Sequence, residues 1–132
     1  MPVRRELLGS VHDELTLFAR RARGLAQGGG LSLVAYTLLT HVLANQDARP
    51  VDLAGFYRLD KSTVSRQLAD LERLGLLERG AHGQPLRVTD AGRAQVDAAA
   101  AVQRAALEGR LQDWDDEDVL AFAEYLRRFN AG

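Results

Sequence analysis

Cysteine is absent from this chain of 132 residues. Its absence excludes disulfides, thiolate nucleophiles, Cys-ligated metals and cysteine redox sensing. Long apolar runs are absent too. None approaches the ~20 residues that a membrane-crossing helix needs, so no membrane partner is expected. Behind the basic pair Arg4-Arg5 there is no apolar core of a secretion signal, and a cytoplasmic location is the expectation. Strong charge is also lacking: the formal net charge of -1 excludes a uniformly basic nucleic-acid coat. His12, His41 and His82 share no metal-ligand spacing, and no metal is expected. Gly28-Gly29-Gly30 lacks the Lys-Ser/Thr that follows a phosphate loop, and no strand precedes it. With no nucleophile motif and no cofactor fingerprint, an enzyme is not expected.

What remains is a globular composition, 46% hydrophobic and 27% charged, in a length typical of one domain. Charge is segregated along it. From Tyr57 to Arg93 seven basic residues (Arg58, Lys61, Arg66, Arg73, Arg79, Arg87 and Arg93) stand against five acids. From Glu108 to Glu124 seven acids face the single Arg110. A basic middle and an acidic end suit a molecule with one DNA-facing lobe.

Periodicity predicts mostly helix. Leu7, Val11, Leu15, Phe18, Ala22 and Leu25 recur at helical steps over residues 3–26, and the glycine triplet breaks that helix. A second helix starts after Ser32, a good N-cap, and carries Val34, Ala35, Leu38, Leu39 and Val42 to about Asn45. A third, short helix begins at Pro50, turns Leu53, Ala54 and Phe56 inward, and stops near Arg58. Asp60 is the expected N-cap of a fourth, whose inward stripe is Val64, Leu68 and Leu71 and whose stop is Gly75. Leu76–Arg79 and Pro85–Val88 flank a turn-rich stretch that includes His82 and predict a hairpin. Thr89 caps a fifth helix reaching about Leu111. Asp115 caps a last one, with Val119, Phe122, Ala123, Leu126 and Phe129 on its apolar face.

Two short helices joined by a tight turn, followed by a two-stranded wing, form the layout of a winged helix-turn-helix. Opposite the inward stripe of the fourth helix lie Ser62, Arg66 and Arg73, flanked by Thr63. Small hydroxyls let a helix sit close in a major groove, and arginine can grip guanine or phosphate. Arg79 and Arg87 fall on the two hairpin strands, within reach of backbone or minor groove.

Leu53-Ala54, the run Asp60-Lys61-Ser62-Thr63-Val64-Ser65-Arg66, the run Leu71-Glu72-Arg73-Leu74-Gly75-Leu76-Leu77-Glu78-Arg79 and the run Val88-Thr89-Asp90-Ala91-Gly92-Arg93 closely resemble the MarR family of bacterial regulators, in the same order. The resemblance covers nearly the whole chain. It implies a mostly α fold: a winged helix-turn-helix over about 32–89 and dimerisation helices over about 3–26 and 90–130, in one domain spanning 1–132. It implies a homodimer on double-stranded DNA with a pseudo-palindromic operator, acting as a repressor. Lys61, Ser62, Thr63, Ser65 and Arg66 are its implied recognition-helix contacts, and Arg73, Arg79 and Arg87 complete the expected DNA-binding set. A small aromatic effector is also implied, with His12, Tyr36, His41 and Trp114 as the candidate set. The chain departs from the family pattern in four places, one of them Gln67, which stands where an aliphatic residue is common. Only nine residues separate Arg79 from Thr89, and the family's Asp-x-Arg wing element is missing. Arg58 stands in the turn where Gly is common, and Arg49-Pro50 replaces a hydroxyl cap. The short wing and near-neutral charge motivate the competing reading, a protein-interaction module on the same fold.

Overall fold

The computed structural model describes residues 1–26, 30–81 and 84–132, with the side chains of 22–26 set aside. The expected break at Gly28-Gly29 and the turn residue His82 therefore lie outside the described residues, as do the side chains of Ala22 and Leu25. In chain order the elements are α1 (Arg4–Ala26), α2 (Leu33–Ala44), α3 (Pro50–Tyr57), α4 (Lys61–Arg73), β1 (Leu77–Arg79), β2 (Leu86–Val88), α5 (Asp90–Leu111) and α6 (Asp116–Asn130). This is the expected order, and the fold is a winged helix-turn-helix with long flanking helices.

Local chemistry sets most of the boundaries. Ser32 Oγ accepts from the Ala35 N–H at 3.1 Å and starts α2. Thr89 Oγ1 accepts from the Gly92 N–H at 3.0 Å and starts α5. Arg49 has no capping oxygen. Instead the Asp52 carboxylate accepts the Arg49 N–H at 3.2 Å, which is half of a capping box, and Pro50 follows at the first helical position. Asp60 and Asp115 do occupy N-cap positions, but neither side chain makes a capping bond. Their place is set by extended backbone and by helix-dipole attraction for an acid.

The core is built by α2, α3 and α4 around Leu38, Leu39, Leu53, Val64 and Leu68, all fully buried or nearly so. Leu71 closes it from the end of α4, Leu76, Leu77 and Leu86 from the wing, and Val96 and Ala99 from α5. The inward stripe of α4 is thus the one expected, Val64, Leu68 and Leu71. The third helix differs from expectation: Phe56 is 71% exposed. On a helix whose buried side is fixed by Leu53 and Ala54, with Tyr57 half-buried between their directions, Phe56 points well away from the core.

β1 and β2 pair antiparallel in the register Leu77↔Val88, Glu78↔Arg87 and Arg79↔Leu86. Leu77 and Leu86 are buried and Glu78 and Arg87 exposed, so the hairpin lies with one face on the core. Its inner strand is fastened on the other side too, because the Leu86 N–H donates to the Ala48 carbonyl at 3.0 Å.

The flanking helices bury little within one chain. α6 contributes no buried residue. On α1, Leu7, Leu8, Val11, Leu15 and Phe18 are exposed; on α6, Leu120, Phe122, Tyr125, Leu126 and Phe129 are exposed. The periodic apolar faces read from the sequence are present, but they are not part of this chain's own core.

Candidate nucleic-acid interface

The recognition helix of the motif is α4. Three core leucine and valine contacts seat one side of it, and the opposite side is left to solvent. Lys61, Ser62, Ser65 and Arg66 are exposed, and Thr63 is half-buried. All five fall in the first two turns. The Val64 N–H is bonded to the Asp60 carbonyl at 3.1 Å, and the Asp60 carboxylate caps none of the N–H groups ahead of it. The positive end of the helix dipole and its unshared donors therefore face outward beside Lys61.

The six basic residues from the turn before α4 to the end of the wing divide into two sets. Arg73 donates to the Asp70 carboxylate at 2.7 Å, and Arg79 Nε donates to Glu72 Oε1 at 3.1 Å. These two guanidinium groups are already neutralised from within the chain. Among the described residues no ion pair involves Arg58, Lys61, Arg66 or Arg87. The free positive charge thus gathers at the start of α4, in the turn before it and on the second wing strand, not along the whole helix. The Arg73–Asp70 pair is legible in an i,i+3 spacing. The Arg79–Glu72 pair was missed, since it joins a helix to a strand and carries no spacing signal.

The turn ahead of α4 has its own geometry. Arg58 is left-handed, with φ 52° and ψ 40°. The Leu59 N–H donates to the Ala54 carbonyl at 3.1 Å and the Arg58 N–H to the Gly55 carbonyl at 3.4 Å, closing α3 in a Schellman motif. α4 ends the same way: the Leu76 N–H reaches the Leu71 carbonyl at 2.9 Å and the Gly75 N–H the Glu72 carbonyl at 3.0 Å, with Gly75 at φ 73°. Immediately beyond, the Gly75 carbonyl accepts from Thr89 Oγ1 at 2.6 Å. One threonine therefore joins the end of α4 to the start of α5 across the base of the wing.

The four residues expected around an effector lie in separate places within one chain. Trp114 stacks on Phe122 with ring centroids 5.5 Å apart. It lines an apolar groove of about 690 Å³ with Val11, Leu15, Tyr125 and Phe129. His41 Nδ1 lies 3.0 Å from the Tyr57 hydroxyl and its ring lies 5.2 Å from that of Phe56, so it links α2 to α3. Tyr36 packs half-buried against the core, and exposed His12 lies beside Asp13 at 3.3 Å. Among the described residues no hydrogen bond, ring contact or shared groove joins any two of the four.

A sequence profile of the MarR family matches residues 29–87, the part that holds the helix-turn-helix and most of the wing. Over 129 residues the chain is 34% identical to an uncharacterized HTH-type transcriptional regulator of Bacillus subtilis (strain 168), YxaD, covering 91% of this chain and 90% of that one. Among solved structures it is similar to a MarR family protein from Bacillus stearothermophilus, with a TM-score of 0.82 and 19% identity over 98% of this chain and 97% of the other. It is also similar to a MarR family protein of Mycobacterium tuberculosis in complex with salicylic acid, with a TM-score of 0.68 and 23% identity over 87% and 94%. The family match and the curated relative make the chain a winged-helix DNA-binding transcription regulator and not an enzyme. The chain belongs to the MarR family. No helix of the described residues is long and apolar enough to cross a membrane.

Proposed function

We propose that the chain acts in the cytoplasm as a homodimeric repressor. It places two copies of α4 in successive major grooves of a pseudo-palindromic duplex. The observation that carries this reading is the exposed, unpaired set at the start of α4. Lys61 and Ser62 meet phosphates, while Ser65 and Arg66 read base edges, with half-buried Thr63 beside them. Arg87 adds a wing contact. Arg73 and Arg79 join only if the DNA draws them from Asp70 and Glu72. The bare apolar faces of α1 and α6 support the dimer, because an isolated chain exposing that much leucine and phenylalanine is poorly soluble. Two recognition helices one turn apart, ~34–36 Å, then match the two half-sites.

An effector is the further part of this reading. The salicylic acid in the Mycobacterium tuberculosis relative supports a small aromatic acid. A ligand that favours a different spacing of the two α4 helices releases the DNA by linkage. Trp114, Tyr36, His41 and His12 remain its proposed contacts, brought together only if the second subunit contributes some of them.

The test is a binding titration of the purified protein against duplex from its own gene's upstream region, at several salt concentrations, with Arg66→Ala beside it. Binding that weakens steeply with salt and drops about 10- to 100-fold in Arg66→Ala is the expected result. No binding above background, there or in a random-sequence selection, returns the fold to the competing role of a protein-docking module.

A further inference from the structure

α3 and α4 end in the same Schellman motif, and the two ends differ at one position. Gly75 supplies the left-handed residue after α4, and Arg58 supplies it after α3. Among the described residues Arg58 is the one non-glycine with positive φ. A side chain in this conformation crowds its own backbone, and glycine adopts it freely. The motif here needs nothing from the arginine side chain. Both of its hydrogen bonds are made by backbone, and its hydrophobic contact is made by Leu59, which packs against the core. The guanidinium is exposed and makes no ion pair among the described residues. Arg58 lies two residues ahead of Asp60, the N-cap of α4. A long cation is thus held, in a backbone state that disfavours it, at the turn that aims the recognition helix.

We infer that Arg58 is a DNA-backbone contact of this chain, gripping a phosphate beside the groove that α4 enters. The inference rests on the DNA-binding reading and adds a residue to it. A phosphate contact from the turn carries no base information. It fixes how far α4 advances into the groove and at what tilt. Its partners on neighbouring elements are consistent with that role. Lys61, the first residue of α4 just past the turn, likewise makes no ion pair among the described residues, and neither Asp52 nor Asp60 pairs with Arg58. Asp52 is held instead by the Arg49 N–H.

The proposal separates two properties that ordinarily move together. Arg58→Gly relieves the backbone, so its melting temperature is expected to stay level or rise by up to roughly 5 °C. The same change removes a phosphate contact. Affinity for a mixed-sequence 30-base-pair duplex is then expected to fall about 5- to 10-fold at low salt. The slope of log K against log salt is expected to shrink by about 0.9 for each Arg58 that touches DNA. Arg58→Lys keeps the charge and is expected to keep the slope. An Arg58→Gly protein with the wild-type slope and affinity overturns the proposal, and so does an Arg58→Lys protein whose slope drops to that of Arg58→Gly. Wild type and Arg66→Ala are titrated alongside. If wild type itself shows no salt-dependent binding, the DNA reading is what fails. If wild type binds and Arg66→Ala loses binding while Arg58→Gly keeps it, the Arg58 contact alone falls.

Discussion

Arg79 Nε donates to Glu72 Oε1 at 3.1 Å, fastening the first wing strand to the recognition helix. The two side chains are 39% and 35% exposed, so the pair holds the wing with no more than roughly 1 kcal/mol. It also occupies a guanidinium that the sequence assigns to DNA. Glu72→Gln is therefore expected to raise affinity for duplex DNA about 2- to 5-fold at low salt, by freeing Arg79 for a phosphate. Fluorescence anisotropy with a labelled duplex measures it. The control is the double variant Glu72→Gln with Arg79→Ala, in which the gain must vanish if it came through Arg79. A gain that survives in the double variant assigns the effect to the lost carboxylate charge alone.

Thr89 makes two bonds with one hydroxyl, accepting from the Gly92 N–H and donating to the Gly75 carbonyl at 2.6 Å. Thr89→Val keeps the shape and loses both. The expected cost is about 1–2 kcal/mol of unfolding free energy, read as a lower urea midpoint with an unchanged m value. Thr89→Ser restores the hydroxyl and most of the stability. A loss in Thr89→Ser with none in Thr89→Val would show that packing of the γ-methyl, and not the hydroxyl, fixes the base of the wing.

Gly92 sits in the first turn of α5 with the backbone of Leu76 directly against it. A Cβ there would press into the Leu76 carbonyl and the Val88 side chain. The carbonyl cannot swing aside, because it accepts the Thr89 N–H at 3.2 Å. Gly92→Ala is expected to destabilise by about 1–3 kcal/mol despite the better helix propensity of alanine. Thermal unfolding checks it. A melting temperature at or above wild type would mean that the wing shifts away from α5 without cost.

How much of this was legible in the sequence depends on the range of the interaction. The helices were readable because their signals are local. Ser32 and Thr89 do make the capping bonds that their positions imply, and Gly75 does take positive φ. The inward stripe of α4 was readable because three large apolar residues on an otherwise polar or small-residue helix leave one choice of face. On α3 the choice was open. Eight residues with five apolar or aromatic side chains have no clear polar face, and Phe56 was assigned to the wrong side. Asp60 and Asp115 show that a residue can hold the cap position without making the cap bond. At the candidate interface, residue types were legible and their state was not. Arg66 is free and Arg79 is bound to Glu72, and that difference arises from the docking of β1 beside α4. The left-handed turn at Arg58 was visible only as an arginine where the resemblance led one to expect glycine.

The apolar faces of α1 and α6 supply the sharpest test of assembly. Leu15 on α1 and Leu126 on α6 line one groove with Trp114 and Phe122, and both are exposed in the single chain. Neither belongs to the core cluster around Leu38 and Leu68. Leu126→Glu should therefore leave the winged unit folded and act on association, by placing a charge where a second copy would exclude water. Sedimentation velocity is expected to report a dimer for wild type and a monomer for Leu126→Glu at the same micromolar concentration. The consequence for DNA follows from linkage of the two half-sites. In a dimer the second recognition helix binds at a high effective concentration once the first is seated, and a monomer loses that gain. Affinity for a palindromic duplex is expected to fall about 100-fold or more, while affinity for a single half-site stays within about 3-fold of wild type. A variant that remains dimeric places the assembly surface elsewhere. A monomer that binds the full palindrome as tightly as wild type would detach DNA recognition from dimerisation.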